Sequence, residues 1–501
     1  MPSRRSTDPG NPDAHVAVVD LGSNSIRLVV YDRLSRAPLP RFNEKSLCRL
    51  GASLDAEGNL GAEAMDCVSR ALARFTAIAR AMGVEEPALI ATESIRNAPN
   101  GDAFRERLET ESGLEVRILS GDDEARLAAM GVIAGFHEPN GLVGDLGGGS
   151  LEIAEVRGTD VGRARTSMPL GALHVARHLA EDPKAAKRFV DETLRGGLGE
   201  IVHGADFHVV GGGWRALAKV HLASHEREIP VIHGLAMDPG ELRALAKSLA
   251  GMDREALAEV PGVPRRREST LPAAALVMDR TLKLLSPKRV LFSSLGVREG
   301  WIYERLSPED RALDPLIEGC RQLCRESARV PAFAEALERW TARLSVGEGT
   351  DGRRLRVAAC ALSDVAWREA DDVKARNVFE RILRFPFIGV THAERAFLAA
   401  TVHARYGKRA EHEAVGLLGD DAQERAHVLG TAMLVGYRFS GSVPEILDHA
   451  SLSVGEDVVT LLVDERTNVP DSDAVQSRLA LLAKALGRES VAVEVRAAGK
   501  G

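Results

Sequence analysis

The chain has 501 residues, enough at about 150 residues per domain for roughly three domains with sizeable cores. A content of 45% hydrophobic and 27% charged residues excludes wholesale disorder, and 4% aromatics makes the cores mostly aliphatic. With 65 basic against 72 acidic residues the net charge is −7, which excludes a protein that coats DNA or RNA non-specifically.

Residues 1–13 read as a disordered polar tail without the apolar core of a signal peptide. No apolar run reaches the roughly 18 residues a membrane helix needs, so a cytoplasmic protein with no membrane partner is expected. The five cysteines (Cys48, Cys67, Cys320, Cys324, Cys360) include no CxxC pair and are read as reduced thiols.

His15 to Tyr31 reads HVAVVDLGSNSIRLVVY: an apolar strand, a tight Gly/Ser turn and a second strand, the signature of a β-hairpin. Ala62 to Met82 has the period of an amphipathic helix, and Leu114 to Leu119 alternates as a strand. Ser120 followed three residues later by Asp123 is a capping-box pattern that opens a helix with Glu124 in its first turn. An acid there is also what the helix dipole favours, whatever its chemistry.

Gly141 to Val156, GLVGDLGGGSLEIAEV, repeats the first hairpin without a gap. Asp20-Leu21-Gly22-Ser23-Asn24-Ser25 aligns with Asp145-Leu146-Gly147-Gly148-Gly149-Ser150. The repeat predicts two related α/β domains facing each other. Glycines let successive N–H groups form an anion-binding nest, and an Asp at the strand end can hold Mg²⁺. Each hairpin is therefore read as a holder of phosphate and metal.

His174/His178 and His221/His225 have helical i, i+4 spacing. No third ligand is evident for either pair, so both are read as solvent-facing or core polar histidines rather than a zinc site. Phe207 to Ala218, FHVVGGGWRALA, predicts a strand, a glycine turn and a helix whose N-terminus could meet an anion. Arg265-Arg266-Arg267 is either a solvated basic face or part of an anion track. Further on, Ala312 to Leu344 and Leu355 to His403 read as successive helices. Val458 to Val463 and Val491 to Val495 read as strands around an amphipathic helix, Ala474 to Leu486.

Seven ordered segments resemble motifs of the exopolyphosphatase / guanosine pentaphosphate phosphohydrolase (Ppx/GppA) family. They are Asp20 to Leu28, Thr92 to Asn100, Ser120 to Leu127, Asp145 to Glu152, Pro169-Leu170-Gly171, the set Arg267, Leu271 and Pro272, and Gly296-Val297-Arg298-Glu299-Gly300. The resemblance spans roughly Val16 to Trp301. It departs from the family at Asp123, where a glutamate is usual, at Leu151, where a threonine is usual, and at Gly213, where Thr or Ser is common.

The resemblance implies two RNase H-like domains of the actin-like ATPase superfold, at 14–137 and 138–308, with a cleft between them. It also implies a mainly helical, HD-like region at 309–435. There Ser363-Asp364 stands where that fold's His-Asp metal pair would be. A small α/β subdomain at 436–501 would serve chain guidance or dimer contact. In the cleft, Glu124 would act as general base and Arg96 would stabilise the transferring phosphate. Asp20 and Asp145 would hold Mg²⁺. Ser23, Asn24, Gly147, Gly148, Gly149, Ser150 and Arg267 would bind phosphate.

The implied reaction removes the terminal phosphate of inorganic polyphosphate, with guanosine pentaphosphate as the alternative substrate. A superfold kinase and a non-catalytic polyphosphate sensor are the remoter readings. A homodimer is an open alternative to a monomer.

Overall fold

A computed structural model describes residues 14–199, 204–225, 229–344, 347–467 and 469–496. The expected disordered tail at 1–13 lies outside the described residues. The described residues form two compact units, the first of residues 14–225 and 231–315 and the second of residues 229–230 with those from Leu316 onward. No helix among them is long and apolar enough to cross a membrane.

The first unit contains two sheets. One joins β1 (Val16–Leu21), β2 (Ile26–Tyr31), β3 (Pro40–Ser46), β4 (Ala88–Ala91) and β5 (Val116–Ile118) in the order β3-β2-β1-β4-β5. Strands β1 to β3 are antiparallel neighbours, whereas β4 and β5 run parallel to β1.

The second sheet joins β6 (Asn140–Leu146), β7 (Leu151–Arg157), β8 (Asp160–Met168), β9 (Asp206–Val210), β10 (Ala236–Met237) and β11 (Val290–Phe292) in the order β10-β11-β9-β6-β7-β8. Here β6 to β8 are antiparallel, and β9 and β11 are parallel to β6 and to each other. The β10 edge aside, the second sheet repeats the order and directions of the first. The central strands are buried on both faces, which is why β1 reads as an almost continuous apolar run.

Predicted elements fall close to the observed ones. The helix Ala62–Ala81 buries Ala64, Val68, Ala71, Leu72, Phe75 and Ala79, one stripe at helical spacing. The strand expected over Leu114–Leu119 is trimmed to Val116–Ile118, because Ser120 already caps the next helix, Gly121–Gly135. That helix crosses another, Val297–Glu304, at close range. A Cβ at Gly300 would lie 1.8 Å from the Leu127 carbonyl oxygen, and one at Gly131 would lie 2.2 Å from that of Gly296. Only glycine allows this approach.

The thiol expectation needs correction at two positions. Cys48 and Cys67 form a disulfide, with Cα atoms 5.5 Å apart across 19 residues of sequence. The chain leaving β3 brings Cys48 against the helix that carries Cys67. Cys320, Cys324 and Cys360 are buried and take no part in a disulfide.

The second unit is mostly helical. The predicted run from Ala312 divides into helices Pro315–Ser327 and Phe333–Ala342. The run from Leu355 divides into Thr350–Leu362, Lys374–Arg384 and His392–Ala404. One break has a plain cause: Phe385 precedes Pro386, and the proline ring disfavours helical backbone at the residue before it.

Ser363 donates to or accepts from the Tyr437 hydroxyl at 2.9 Å, and Asp364 is paired with Arg329 and Arg405. Strands β12 (Ala450–Val454), β13 (Val458–Asp464) and β14 (Ser490–Arg496) form a sheet in the order β12-β13-β14, accompanied by the helix Asp473–Ala485. The expected boundary at 435/436 falls inside the helix Asp420–Ser440.

Candidate active site

The repeated hexapeptides adopt one geometry twice. In β1–β2, Asp20 pairs with Arg27 and Leu21 with Ile26; in β6–β7, Asp145 pairs with Glu152 and Leu146 with Leu151. Each turn closes with the same bond: Gly22 N–H donates to the Ser25 carbonyl, and Gly147 N–H to that of Ser150, both at 3.0 Å.

The second turn is further braced by the segment after β8. Gly171, Ala172 and Leu173 donate their N–H groups to the carbonyls of Gly149, Gly147 and Gly148 at 2.9, 3.1 and 2.8 Å. A Cβ at Gly171 would lie 2.2 Å from the Gly149 carbonyl carbon, which accounts for the glycine of Pro169-Leu170-Gly171.

Both turns open on one cleft of about 190 Å³. Asp20, Ser23, Asn24, Glu124, Asp145, Gly147, Gly148, Gly149, Ser150 and Arg267 all line it. A third glycine turn joins them: Gly211, at φ 96°, starts the helix Gly212–Ser224, and Gly211 and Gly212 face the same cavity.

Arg96 is not among the lining residues. It stands at the end of the short helix Glu93–Arg96, and its Nη1 donates to the Leu119 carbonyl and to Glu124 Oε1, the latter at 2.5 Å. Its partner in this structure is therefore the candidate base.

The capping box is present as expected. Ser120 Oγ accepts from Asp123 N–H at 3.1 Å, and the Asp123 carboxylate accepts from the Ser120 backbone. Asp123 thus serves the helix end and Glu124 the cleft. Burial raises the Glu124 carboxyl to about 7; Arg96 pulls it down, while Asp145 and Asp20 push it up. Asp145 is raised to about 6, chiefly by burial, with Arg215 opposing. Glu152, opposite Asp145 on β7 and accepting from Ser167 Oγ at 2.8 Å, is raised well above the usual carboxylate range by burial and by the Glu124 charge.

Cations answer these acids, and two of them, Lys45 and Arg215, were not singled out from sequence. Arg27, Lys45, Arg215 and Arg298 line the cleft beside Arg267. Arg298 Nη1 lies 2.7 Å from Asp20 Oδ2. Its neighbour Glu299 accepts from the Tyr31 hydroxyl at 2.5 Å and from Gly296 N–H at 2.9 Å. Burial, with Arg267, Arg266 and Arg27 nearby, lowers the Lys45 amine to about 8. The motif Gly296–Gly300 was a signal for Arg298; nothing in the sequence marks Lys45 or Arg215.

His221 is buried and His225 exposed, and Glu241, on the helix Pro239–Ala250, lies 3.8 Å from a ring nitrogen of each. Sequence spacing could not show it, because Glu241 comes from another helix. His174 and His178 pack against Phe189 instead.

Two sheets of repeated topology bring a glycine turn from each to one cleft that acids and arginines also line. The model of the Ppx/GppA phosphatase family matches residues 29–309, and that of the exopolyphosphatase C-terminal domain matches 316–493. The chain belongs to the Ppx/GppA phosphatase family, and membership supports a phosphate-hydrolysing function.

Among its relatives, exopolyphosphatase 1 of Mycobacterium leprae is 29% identical over 310 residues, 59% of this chain and 90% of that protein. Retrograde regulation protein 2 of Saccharomyces cerevisiae is 27% identical over 78% of this chain and 72% of its own length. The guanosine-5'-triphosphate,3'-diphosphate pyrophosphatase of Vibrio atlanticus is 27% identical over 58% of each chain. The crystal structure of the Aquifex aeolicus family member superposes with a TM-score of 0.51 at 23% identity, covering 58–59% of this chain and 99% of that one. It shares the fold.

Proposed function

We propose that the chain is an exopolyphosphatase that releases the terminal phosphate of inorganic polyphosphate by attack of a water activated by Glu124. The observation that carries this reading is a buried carboxyl, raised to about 7, lining a cleft that also holds three glycine turns and five cationic side chains. A pure binding site needs cations and N–H donors but no base. A group that titrates near neutrality is suited to take a proton from water.

In this reading Glu124 removes a proton from the attacking water, whose oxygen bonds to the terminal phosphorus. The bridging P–O bond breaks, and one phosphate and a chain shorter by one unit result. Arg96 holds the Glu124 carboxylate in place. Its role is thus positioning of the base rather than direct contact with the transferring phosphate. Gly147 N–H is committed to the Ser150 carbonyl and shapes the turn, which the bonds from residues 171–173 brace, so the N–H groups the turn offers an anion are those of Gly148, Gly149 and Ser150. Ser23, Asn24 and Ser150 add polar groups, and Arg27, Lys45 and Arg267 offset phosphate charge.

The donor set fits Mg²⁺. Asp20 and Asp145 end equivalent strands in one cleft, and carboxylate oxygens are the hard donors this ion prefers. Burial first, and the Asp20 charge after it, raise the Asp145 carboxyl, and a cation held between the two acids would favour its ionised form. Bound there, Mg²⁺ would supply charge neutralisation at the phosphate oxygens.

The repeated strand order supports two RNase H-like lobes of the actin-like superfold. The pairing of Asp364 with two arginines, beside Ser363, supports an HD-like helical region that binds no metal at that point. A cytoplasmic location, no nucleic-acid partner and a homodimer belong to the same reading. Similarity to the Vibrio pyrophosphatase keeps guanosine pentaphosphate as the second substrate.

Phosphate release from long-chain polyphosphate and from guanosine pentaphosphate, assayed side by side with Mg²⁺, tests the reading. Faster release from polyphosphate is expected. A preference for the nucleotide selects the second substrate, and release from neither overturns the enzyme reading.

A further inference from the structure

The disulfide Cys48–Cys67 lies where the chain braces the first glycine turn. Cys67 ties Cys48 to the helix Ala62–Ala81, and the residues directly after Cys48 reach the turn. Arg49 N–H donates to the Asn24 carbonyl at 3.1 Å, and Gly51 N–H to the Ser23 carbonyl at 2.8 Å. The approach is close, since a Cβ at Gly51 would lie 3.1 Å from the Ser23 Cβ. Ser23 and Asn24 line the cleft. The bond therefore joins a helix of the first core to the backbone that sets where those two side chains stand.

The two sulfurs differ in access. Cys48 is 6% exposed, whereas Cys67 is partly exposed on its helix. A small dithiol can reach the Cys67 sulfur. Its thiolate attacks there, the S–S bond breaks, and Cys48 leaves as a thiolate and takes up a proton. The reagent's second thiolate then displaces Cys67, which is released as a thiol, and closes the reagent's own disulfide. Two electrons and two protons pass to the protein. A small disulfide acting as oxidant reverses each step.

We propose that Cys48 and Cys67 form a reversible redox site that, when oxidised, tightens the first glycine turn and with it anion binding in the cleft. In a reducing compartment the two thiols are the resting state and the bond is the oxidised one. The braces outlast reduction in part, because Leu50 is 1% exposed and Arg177 Nη2 donates to the Gly51 carbonyl. Reduction therefore loosens the turn and does not unfold it. The effect on binding rests on the reading of the cleft as a phosphate site; the effect on the turn does not.

The test uses full-length protein brought to one state with dithiothreitol and to the other with oxidised glutathione, then freed of reagent. Thiol titration in denaturant should count five thiols in the first and three in the second, with no glutathione attached by mass. Opening the bond should speed hydrogen exchange at the Arg49 and Gly51 amides. It should weaken tripolyphosphate binding by about threefold to tenfold, the equivalent of one hydrogen bond lost. Cys67→Ser, at a partly exposed position, should match the reduced protein whichever reagent is used. Five thiols after oxidised glutathione, equal exchange or equal tripolyphosphate affinity in the two states, or a response that persists in Cys67→Ser would each overturn the proposal. Tripolyphosphate binding to neither state would refute the phosphate reading of the cleft and the binding half of the proposal with it, and the exchange rates then decide the redox site by themselves.

Discussion

Arg96 Nη1 lies 2.5 Å from Glu124 Oε1 and couples the end of the short helix Glu93–Arg96 to the first turn of Gly121–Gly135. Glu124 is only 7% exposed, so its ionised form depends on that guanidinium. The pair sets both where the carboxylate sits and when it carries charge, and the first two predictions concern it.

Glu124→Gln keeps the shape of the side chain and removes its basicity. Turnover should fall by about 10²–10⁴-fold, with binding of polyphosphate nearly unchanged. Steady-state kinetics beside a binding titration measure both; a loss under about tenfold rules Glu124 out as the base.

Arg96→Met should shift the pH profile. A general base works when ionised, so activity falls as pH drops through the pKa of Glu124. Arg96 favours the ionised form, and its loss raises that pKa further. The acid limb of kcat/KM should therefore move to higher pH. An acid limb that stays in place, with activity lowered equally at every pH, would instead point to direct phosphate contact by Arg96.

Polyphosphate binding should weaken with salt despite the net charge of −7, because Arg27, Lys45 and Arg267 face the cleft. Arg267→Ala or Lys45→Ala should each flatten the slope of log affinity against log salt by about one. Burial depresses the Lys45 amine to about 8, so binding near pH 8 should also take up protons, and this uptake should vanish in Lys45→Ala. Calorimetry in buffers of different ionisation enthalpy reads it.

Stability should carry a signature of His208. Its ring is buried against Phe136, with Nδ1 3.3 Å from the Leu142 carbonyl, and burial lowers it from 6.5 to about 4. The unfolded chain then binds a proton that the folded chain refuses. Stability from the neutral ring is complete above about pH 6.5 and declines as pH falls toward 4, by about 3 kcal/mol in all. Denaturant titrations at a series of pH values should show a shallower acid decline in His208→Leu than in wild type; parallel declines would contradict the assignment.

Gly300→Ala should destabilise the first unit by at least about 1–3 kcal/mol, since the added carbon meets the Leu127 backbone and not a side chain that could swing aside. A variant with an unchanged melting temperature would show that the two helices can part without cost.

Much of the site was legible in one dimension because its parts are local. The duplicated hairpin, its glycine turn and the Asp at its base lie within a dozen residues. Turn chemistry and strand alternation act over that span, and both hairpins formed with the register that the alignment of Asp20 with Asp145 requires. The capping box at Ser120 is equally local, so it predicted the helix that delivers Glu124.

Tertiary structure decided what depends on approach through space. Arg96 meets Glu124 across 28 residues, Arg298 meets Asp20 across 278, and Lys45 and Arg215 reach the cleft from a strand and a helix with no motif to mark them. Cys48 finds Cys67, and Glu241 finds the His221/His225 pair, only because helices pack where they do. A carboxylate or a guanidinium carries no trace in sequence of its distant partner, since Coulomb attraction and burial depend on separation in the folded state, not along the chain.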